Sequence, residues 1–450
     1  MTGPGEILLI ACYELGHQPL SVAWPAAFLE RAGYRPAVMD LSVEPFDADK
    51  VRRARLVAVA VPMHTALRLG VAAAARVRAA NPAAHICFYG HYAALNVAHL
   101  TSQGHADSVL AGELEDAMIA LAGRLDAGAA PRVRLDKLDF PVPARAALPS
   151  LKKYAHLDRE GAPHLVGYVE ASRGCKHGCR HCPIPPVYGR RFFVVPRDVV
   201  LADVRQQVDA GAAHVTFGDP DFLNGPRHAL AVARALHAEF PRLTFDFTAK
   251  IEHLLVQREH LAELAVLGAL FVVSAAESLD GRVLAILDKG HTRADIETAL
   301  ALTRAAGLSL RPTWVAFTPW TTLDAYRAWL DFIAAEGLVD ATDPVQYALR
   351  LLVPPGSWLL EHPAMRAHLG RLVPEGFHHE WTHSDPRMDT LQAAVAAAVA
   401  TAADRREDAA VTFDRVRGLA AKAADAPTPG PIGLAPDRRR PPRLSEPWFC

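Results

Sequence analysis

Short, wholly apolar runs alternate with longer stretches in which apolar residues recur every three or four positions, and this alternation occurs twice along the chain. The first series begins with "EILLIAC" (6–12). The amphipathic "SVAWPAAFLERAGY" follows, with Gly33 closing the helix, and then "RPAVMDL", "RLVAVAVP", "LGVAAAARVRAAN", "HICFYG" and "ADSVLAGELEDAMIALAGRL". Strands apolar at every position are buried on both faces, and amphipathic helices between them supply the covers. Residues 1–130 therefore predict a doubly wound parallel α/β domain. Ligands of such sheets sit past the carboxyl ends of the strands, which here carry "YELGHQP", "PMHTA", "YGHYAALN" and "AGELE".

The proline-bearing stretch 131–163 predicts a linker. A second series opens at 164 with "HLVGYVEAS", "HVTFGDP", "LTFDFTA", "LFVVSAAE", "LRPTWVAFTP" and "VQYALRLLVP", separated by helical segments. Six strand–helix units over 164–360 predict a partial (β/α)6 barrel, with functional groups gathered at the C-terminal ends of its strands. Residues 361–424 predict a helical region around a polar insert, "GFHHEWTHSDP", and the proline-rich 425–450 predicts a tail without regular structure.

Composition narrows the function. A hydrophobic share of 51% over 450 residues is enough for a sizeable core, and the net charge of −1 gives no reason to expect nucleic acid or an anionic membrane. The N-terminal apolar run has no basic leader and reads as a strand, and no stretch is long and apolar enough to span a bilayer. A cytoplasmic setting is expected, where clustered thiols point to metal or catalysis rather than disulfides. Cys12 and Cys87 lie within apolar strands and read as small core residues.

Three of the six cysteines crowd into "ASRGCKHGCRHCPIP" at 171–185. A structural zinc site wants four ligands, which His177 or His181 could complete. An electron-transfer [4Fe–4S] cluster wants four cysteines, and no fourth lies nearby. Three thiolates on a four-iron cluster leave one iron open.

The spacing C-x3-C-x2-C after the first strand of a βα series resembles the radical S-adenosylmethionine (radical SAM) superfamily, with Cys175, Cys179 and Cys182 matching its cluster ligands. The resemblance implies a [4Fe–4S] cluster that chelates S-adenosylmethionine and cleaves it reductively, giving a 5′-deoxyadenosyl radical. It also implies an external electron donor such as flavodoxin or ferredoxin. The strand ends supply the matching cofactor contacts. Gly218 with Asp219 or Asp221 stands for the family's Gly-Gly-Glu-like segment facing the cofactor's ammonium group. Lys250 and Glu252 would face its carboxylate or ribose, and Glu277 and Ser278 its ribose. Arg350 would answer a carboxylate in the barrel mouth. A doubly wound domain ahead of such a barrel resembles the cobalamin-binding subclass, some of whose members transfer methyl groups. The Asp-x-His-x-x-Gly signature for an axial imidazole is missing, and His17, His64 and His91 each stand in another context. A methylthiotransferase would need a second cysteine triplet that Cys12 and Cys87 cannot supply. The expected substrate is a small molecule or peptide; the competing reading is a non-catalytic zinc or iron–sulfur protein.

The segment "PRLSEPWFC" resembles the tail of a radical SAM group whose chains finish in Cys-Cys-Ala-Glu-Pro or Cys-selenocysteine-Ala-Glu-Pro. On that resemblance the product is expected to continue past Cys450 through selenocysteine, making Cys450 half of a redox-active thiol–selenol pair.

Overall fold

The structure, a computed structural model, describes residues 3–125 and 132–446. The N-terminal domain is a six-stranded parallel sheet of β1 (Ile7–Ala11), β2 (Ala37–Asp40), β3 (Leu56–Ala60), β4 (His85–Tyr89), β5 (Ser108–Gly112) and β6 (Arg132–Arg134), in the order β2-β1-β3-β4-β5-β6. Every residue of β1, β3 and β5 is buried, as the unbroken apolar sequences of β1 and β3 require; the one polar side chain of β5, Ser108, is bonded to His85. The order reverses between β1 and β3, so their carboxyl ends diverge and open a crevice between Glu14 and Met63.

The second sheet takes the order β14-β13-β12-β11-β8-β7-β17. Its parallel strands β8 (Ala162–Val169), β11 (His214–Phe217), β12 (Thr244–Thr248), β13 (Ala269–Glu277) and β14 (Ser309–Trp314) form a half-barrel. Beside β8 lie two antiparallel strands, β7 (His156–Arg159) and β17 (Arg443–Leu444). A two-stranded ribbon of β9 (Ser172–Gly174) and β10 (Phe192–Val194) flanks the cysteine segment.

Three expectations are corrected. The sixth barrel strand is reduced to one parallel bridge, Phe317 to Arg350, because Pro344 starts a 3-10 turn over 344–348 that buries Tyr347 in the core. Within 361–424 a hairpin forms, β15 (Leu369–Val373) with β16 (His378–Trp381) from the polar insert, ahead of helices at Pro386–Asp404 and Ala409–Ala423. The proline-rich tail contributes β17, where Arg443 and Leu444 add an edge to β7.

The linker is a strap that alternates exposed residues with buried anchors such as Leu138, Phe140, Arg145 and Leu148. Phe140 inserts between Trp24 and Phe28, and one apolar cluster runs from Leu9 and Trp24 through Phe140 to Val169 and Phe217. Arg145 pins the join: it donates to Asp203 at 2.6 and 2.7 Å, to the Gln18 side chain at 2.9 Å and to the Tyr168 carbonyl at 2.6 Å. No helix among the described residues is long and apolar enough to cross a membrane.

Candidate functional site

The two sheets present their carboxyl edges to one cavity of about 460 Å³. From the N-terminal sheet come Glu14, Met63, His91 and Leu114; from the barrel come Tyr168, Gly218, Asp219 and Asp246. All four N-terminal strand ends singled out in the sequence reach this wall.

The cysteine segment follows β8 and β9 at the rim. Gly174 takes φ +73° where a Cβ would strike the Arg191 carbonyl and the Tyr188 ring, which forces the chain over into Cys175. Backbone bonds pin the loop: Arg180 N–H donates to Leu287 O at 3.0 Å, and Leu359 N–H donates to Arg180 O at 3.1 Å. Cys179 is buried, and Cys175 and Cys182 are half-buried. Burial pushes the Cys182 thiol up to about 12, and the Cys179 and Cys175 charges add to that. A metal bound at such thiols replaces their protons. One cation faces them. Lys289, fully buried, feels both Cys179 and Cys182 and bonds Glu277 at 3.2 Å. Burial alone would raise the Glu277 carboxyl, but Lys289 and His181, the latter at 3.1 Å, hold it at about 2.

Glu277 reaches this position through left-handed backbone, φ +64°, where the pairing of β13 with β14 shifts register. The sequence offers His181 only as a zinc ligand and does not single out Lys289, although a lysine beside a glycine after the fourth strand is the available signal.

The two aspartates have different tasks. Asp219, buried on the cavity wall, accepts from Ala171 N–H at 2.8 Å and Ser172 O–H at 2.5 Å, tying β11 to the lead-in of the cysteine loop. Burial raises its carboxyl to about 7 against those bonds. Asp221 lies under the loop. It accepts from Leu223 N–H at 3.0 Å and lies 2.7 Å from His253 and 3.5 Å from His177. Lys250 joins this group through His177 Nδ1 at 3.1 Å and Glu252 at 3.2 Å. His253 Nδ1 and His177 Nε2 complete no hydrogen bond to the carboxylate, so the group is a clamp of close polar contacts from the segments after β11 and β12 onto the loop.

Gly218 serves packing: an added Cβ would overlap the Tyr168 phenol ring. Ser278 accepts from Asp280 N–H at 3.1 Å in a turn. Arg350 is not at the barrel mouth. It bonds Asp389 at 2.6 Å and lies 3.5 Å above the Trp381 ring, because the chain leaves the sheet after the single bridge. Cys450 lies outside the described residues.

The Radical SAM superfamily model matches residues 169–318. The hopanoid C-3 methylase of Methylococcus capsulatus is 25% identical over 336 residues, which are 69% of this chain and 64% of that protein. The bacteriochlorophyllide d C-12(1)-methyltransferase of Chlorobaculum tepidum is 26% identical over 203 residues, 42% of this chain and 41% of that protein. The chain thus spans less than two thirds of these curated relatives. Among solved structures, the radical S-adenosylmethionine methyltransferase TsrM from Kitasatospora setae superposes with a TM-score of 0.67 at 16% identity, covering 95% of this chain and 97% of that one. The cobalamin-dependent S-adenosylmethionine radical enzyme OxsB superposes with a TM-score of 0.64 at 13% identity, covering 86% of this chain and 66% of that one. At these identities the structural likeness is one of fold. Residues 169–318 are thus a radical SAM domain, set behind an N-terminal α/β domain in a chain with the fold of the cobalamin-dependent radical SAM enzymes.

Proposed function

We propose that the chain is a radical SAM enzyme that modifies, by methyl transfer on the pattern of its relatives' names, a small molecule held between its two domains. Cys175, Cys179 and Cys182 would hold a [4Fe–4S] cluster, and S-adenosylmethionine would bind beside it at the barrel rim. One observation carries the reading: Cys175, Cys179 and Cys182 stand on one loop at the carboxyl edge of a half-barrel, while the other described cysteines, Cys12 and Cys87, are buried in the N-terminal domain. When bound, the cluster supplies a low-potential electron and one iron with an open coordination position.

This chain's own residues set the conditions around it. Lys289 offsets thiolate charge from the buried side. The Asp221–His177–His253 clamp and the Asp219–Ser172 bond hold the loop in register. Glu252 stays half-exposed at the rim, open to a ligand hydroxyl or ammonium.

Cobalamin belongs in the same reading, against the N-terminal edge. There Pro62, Met63 and Leu114 give an apolar wall suited to a macrocycle. His17 is stacked on Tyr168 and His64 bonds the Gly376 carbonyl, so neither is placed as an axial ligand. A reducing cytoplasmic setting and a flavodoxin- or ferredoxin-like electron donor complete the proposal.

Metal analysis of anaerobically reconstituted protein tests it. About four irons with matching sulfide are expected per chain, with loss of iron in Cys175→Ala, Cys179→Ala and Cys182→Ala and none in Cys12→Ala or Cys87→Ala. One zinc without sulfide would overturn the reading in favour of a non-catalytic metal protein.

A further inference from the structure

Beneath the rim, the strand register brings four polar side chains onto the inner face of the half-barrel. His214 pairs with Thr244 and Thr216 with Asp246, and alternate residues of a strand share a face. His214, 0% exposed, bonds Thr244 Oγ1 at 2.8 Å through Nδ1 and Asp246 Oδ1 at 2.8 Å through Nε2. Thr216 donates to the same Oδ1 at 2.6 Å. Among the described residues, Asp246 Oδ2 accepts no hydrogen bond, although the side chain is only 3% exposed and lines the cavity. That oxygen opens onto the cavity, so a ligand held there can supply the donor that the protein does not.

The nearby cations are already matched. Arg311 faces Asp343 at 3.4 Å, Arg173 faces Glu113, Glu115 and Glu170, and Arg145 faces Asp203. His17, stacked on Tyr168, is pushed down to about 4 by burial and stays neutral. In the strand register Phe271 pairs with Asp246 and Tyr168 with Thr216, and both rings line the cavity.

We propose that Asp246, oriented by His214 and Thr216, is the anchor for the substrate, and that the substrate carries a protonated amine or amidine on a flat apolar body. Asp246 lies two residues before the end of β12, roughly 7 Å below the rim, whereas the cysteine loop stands at the rim itself. The anchored group therefore lies deeper in the barrel than the cluster ligands. Calling this ligand the substrate rests on the radical SAM reading; its chemistry does not.

The test is ligand-observed NMR on the reconstituted full-length protein, with benzamidine and benzoate as probes of equal shape and opposite charge. Benzamidine is expected to bind at least roughly tenfold more tightly than benzoate, and Asp246→Asn to abolish that preference. Iron content and S-adenosylmethionine affinity are expected to be unchanged in the variant. Equal binding of the two probes by the wild-type protein would overturn the inference, and this arm needs no variant to fold. So would a variant that loses S-adenosylmethionine affinity while keeping benzamidine, since the cofactor would then be the occupant of Asp246. Failure of the radical SAM reading would show separately, as missing iron with the probe preference intact.

Discussion

Replacing Arg145 by Met should loosen the join between the two domains more than any other single change in the strap. The guanidinium is 8% exposed and serves three elements: the helix carrying Asp203, the Tyr168 carbonyl of β8, and Gln18 of the N-terminal domain. Methionine keeps the approximate length but removes the charge and four hydrogen bonds. Asp203, 1% exposed, would be left as a buried carboxylate without its cation. Breaking one partner of a buried pair typically costs about 3–5 kcal/mol, most of it the penalty on the stranded charge. That origin makes the reasoning checkable by a double-mutant cycle in urea, following the first unfolding transition. Arg145→Met alone should cost about 3–5 kcal/mol. Arg145→Met/Asp203→Asn should recover a substantial part, because the stranded charge is gone. A single-variant cost below about 1 kcal/mol, or strict additivity of the two changes, would refute the argument that this pair holds the join.

Three further outcomes follow from named contacts. Glu14, raised by burial to about 7 from an ordinary 4.5, keeps in the folded state a proton that the unfolded chain releases. Its contribution is therefore complete below pH 4.5 and lost as pH rises toward 7, and Glu14→Gln should flatten the stability–pH slope in that window by up to about 1.4 kcal/mol per pH unit; an unchanged slope would contradict the shift. Arg350→Ala should lower stability by about 1–3 kcal/mol through loss of the Asp389 and Trp381 contacts, with S-adenosylmethionine affinity unchanged; a selective loss of affinity would return Arg350 to the cofactor site. Gly218→Ala should cost about 1–3 kcal/mol by overlap with Tyr168, and adding Tyr168→Ala should relieve that overlap; no coupling in denaturant titrations would mean the glycine serves something else.

What the sequence made legible follows from locality. The cysteine spacing lies within eight residues, and both strand series announce themselves by unbroken apolar runs, so the two sheets and the rim position of Cys175, Cys179 and Cys182 could be read directly. The sixth strand could not. "VQYALRLLVP" has strand composition, but Pro344 and the burial of Tyr347 turn it into a 3-10 segment. Arg350 in "YALRLLVP" and Asp246 in "LTFDFTA" are each a charge within an apolar run. The partners, Asp389 in one case and His214 in the other, are set by tertiary packing and strand register, which no local pattern encodes. The sequence offers Asp219 or Asp221 without choosing between them, because which one ties the lead-in and which one clamps the loop depends on Ser172, His177 and His253 meeting across three elements. Arg145 sat in a stretch read as a linker because prolines say where a helix stops, not whether the chain beyond it is buried.

The most direct measurement is anaerobic incubation of the reconstituted protein with S-adenosylmethionine and a strong reductant, with 5′-deoxyadenosine and methionine quantified alongside the Cys179→Ala variant. The account predicts that both products form with the wild-type chain and neither forms with the variant. Iron loading and cleavage that persist without Cys179 would contradict the three-cysteine cluster on which the account rests.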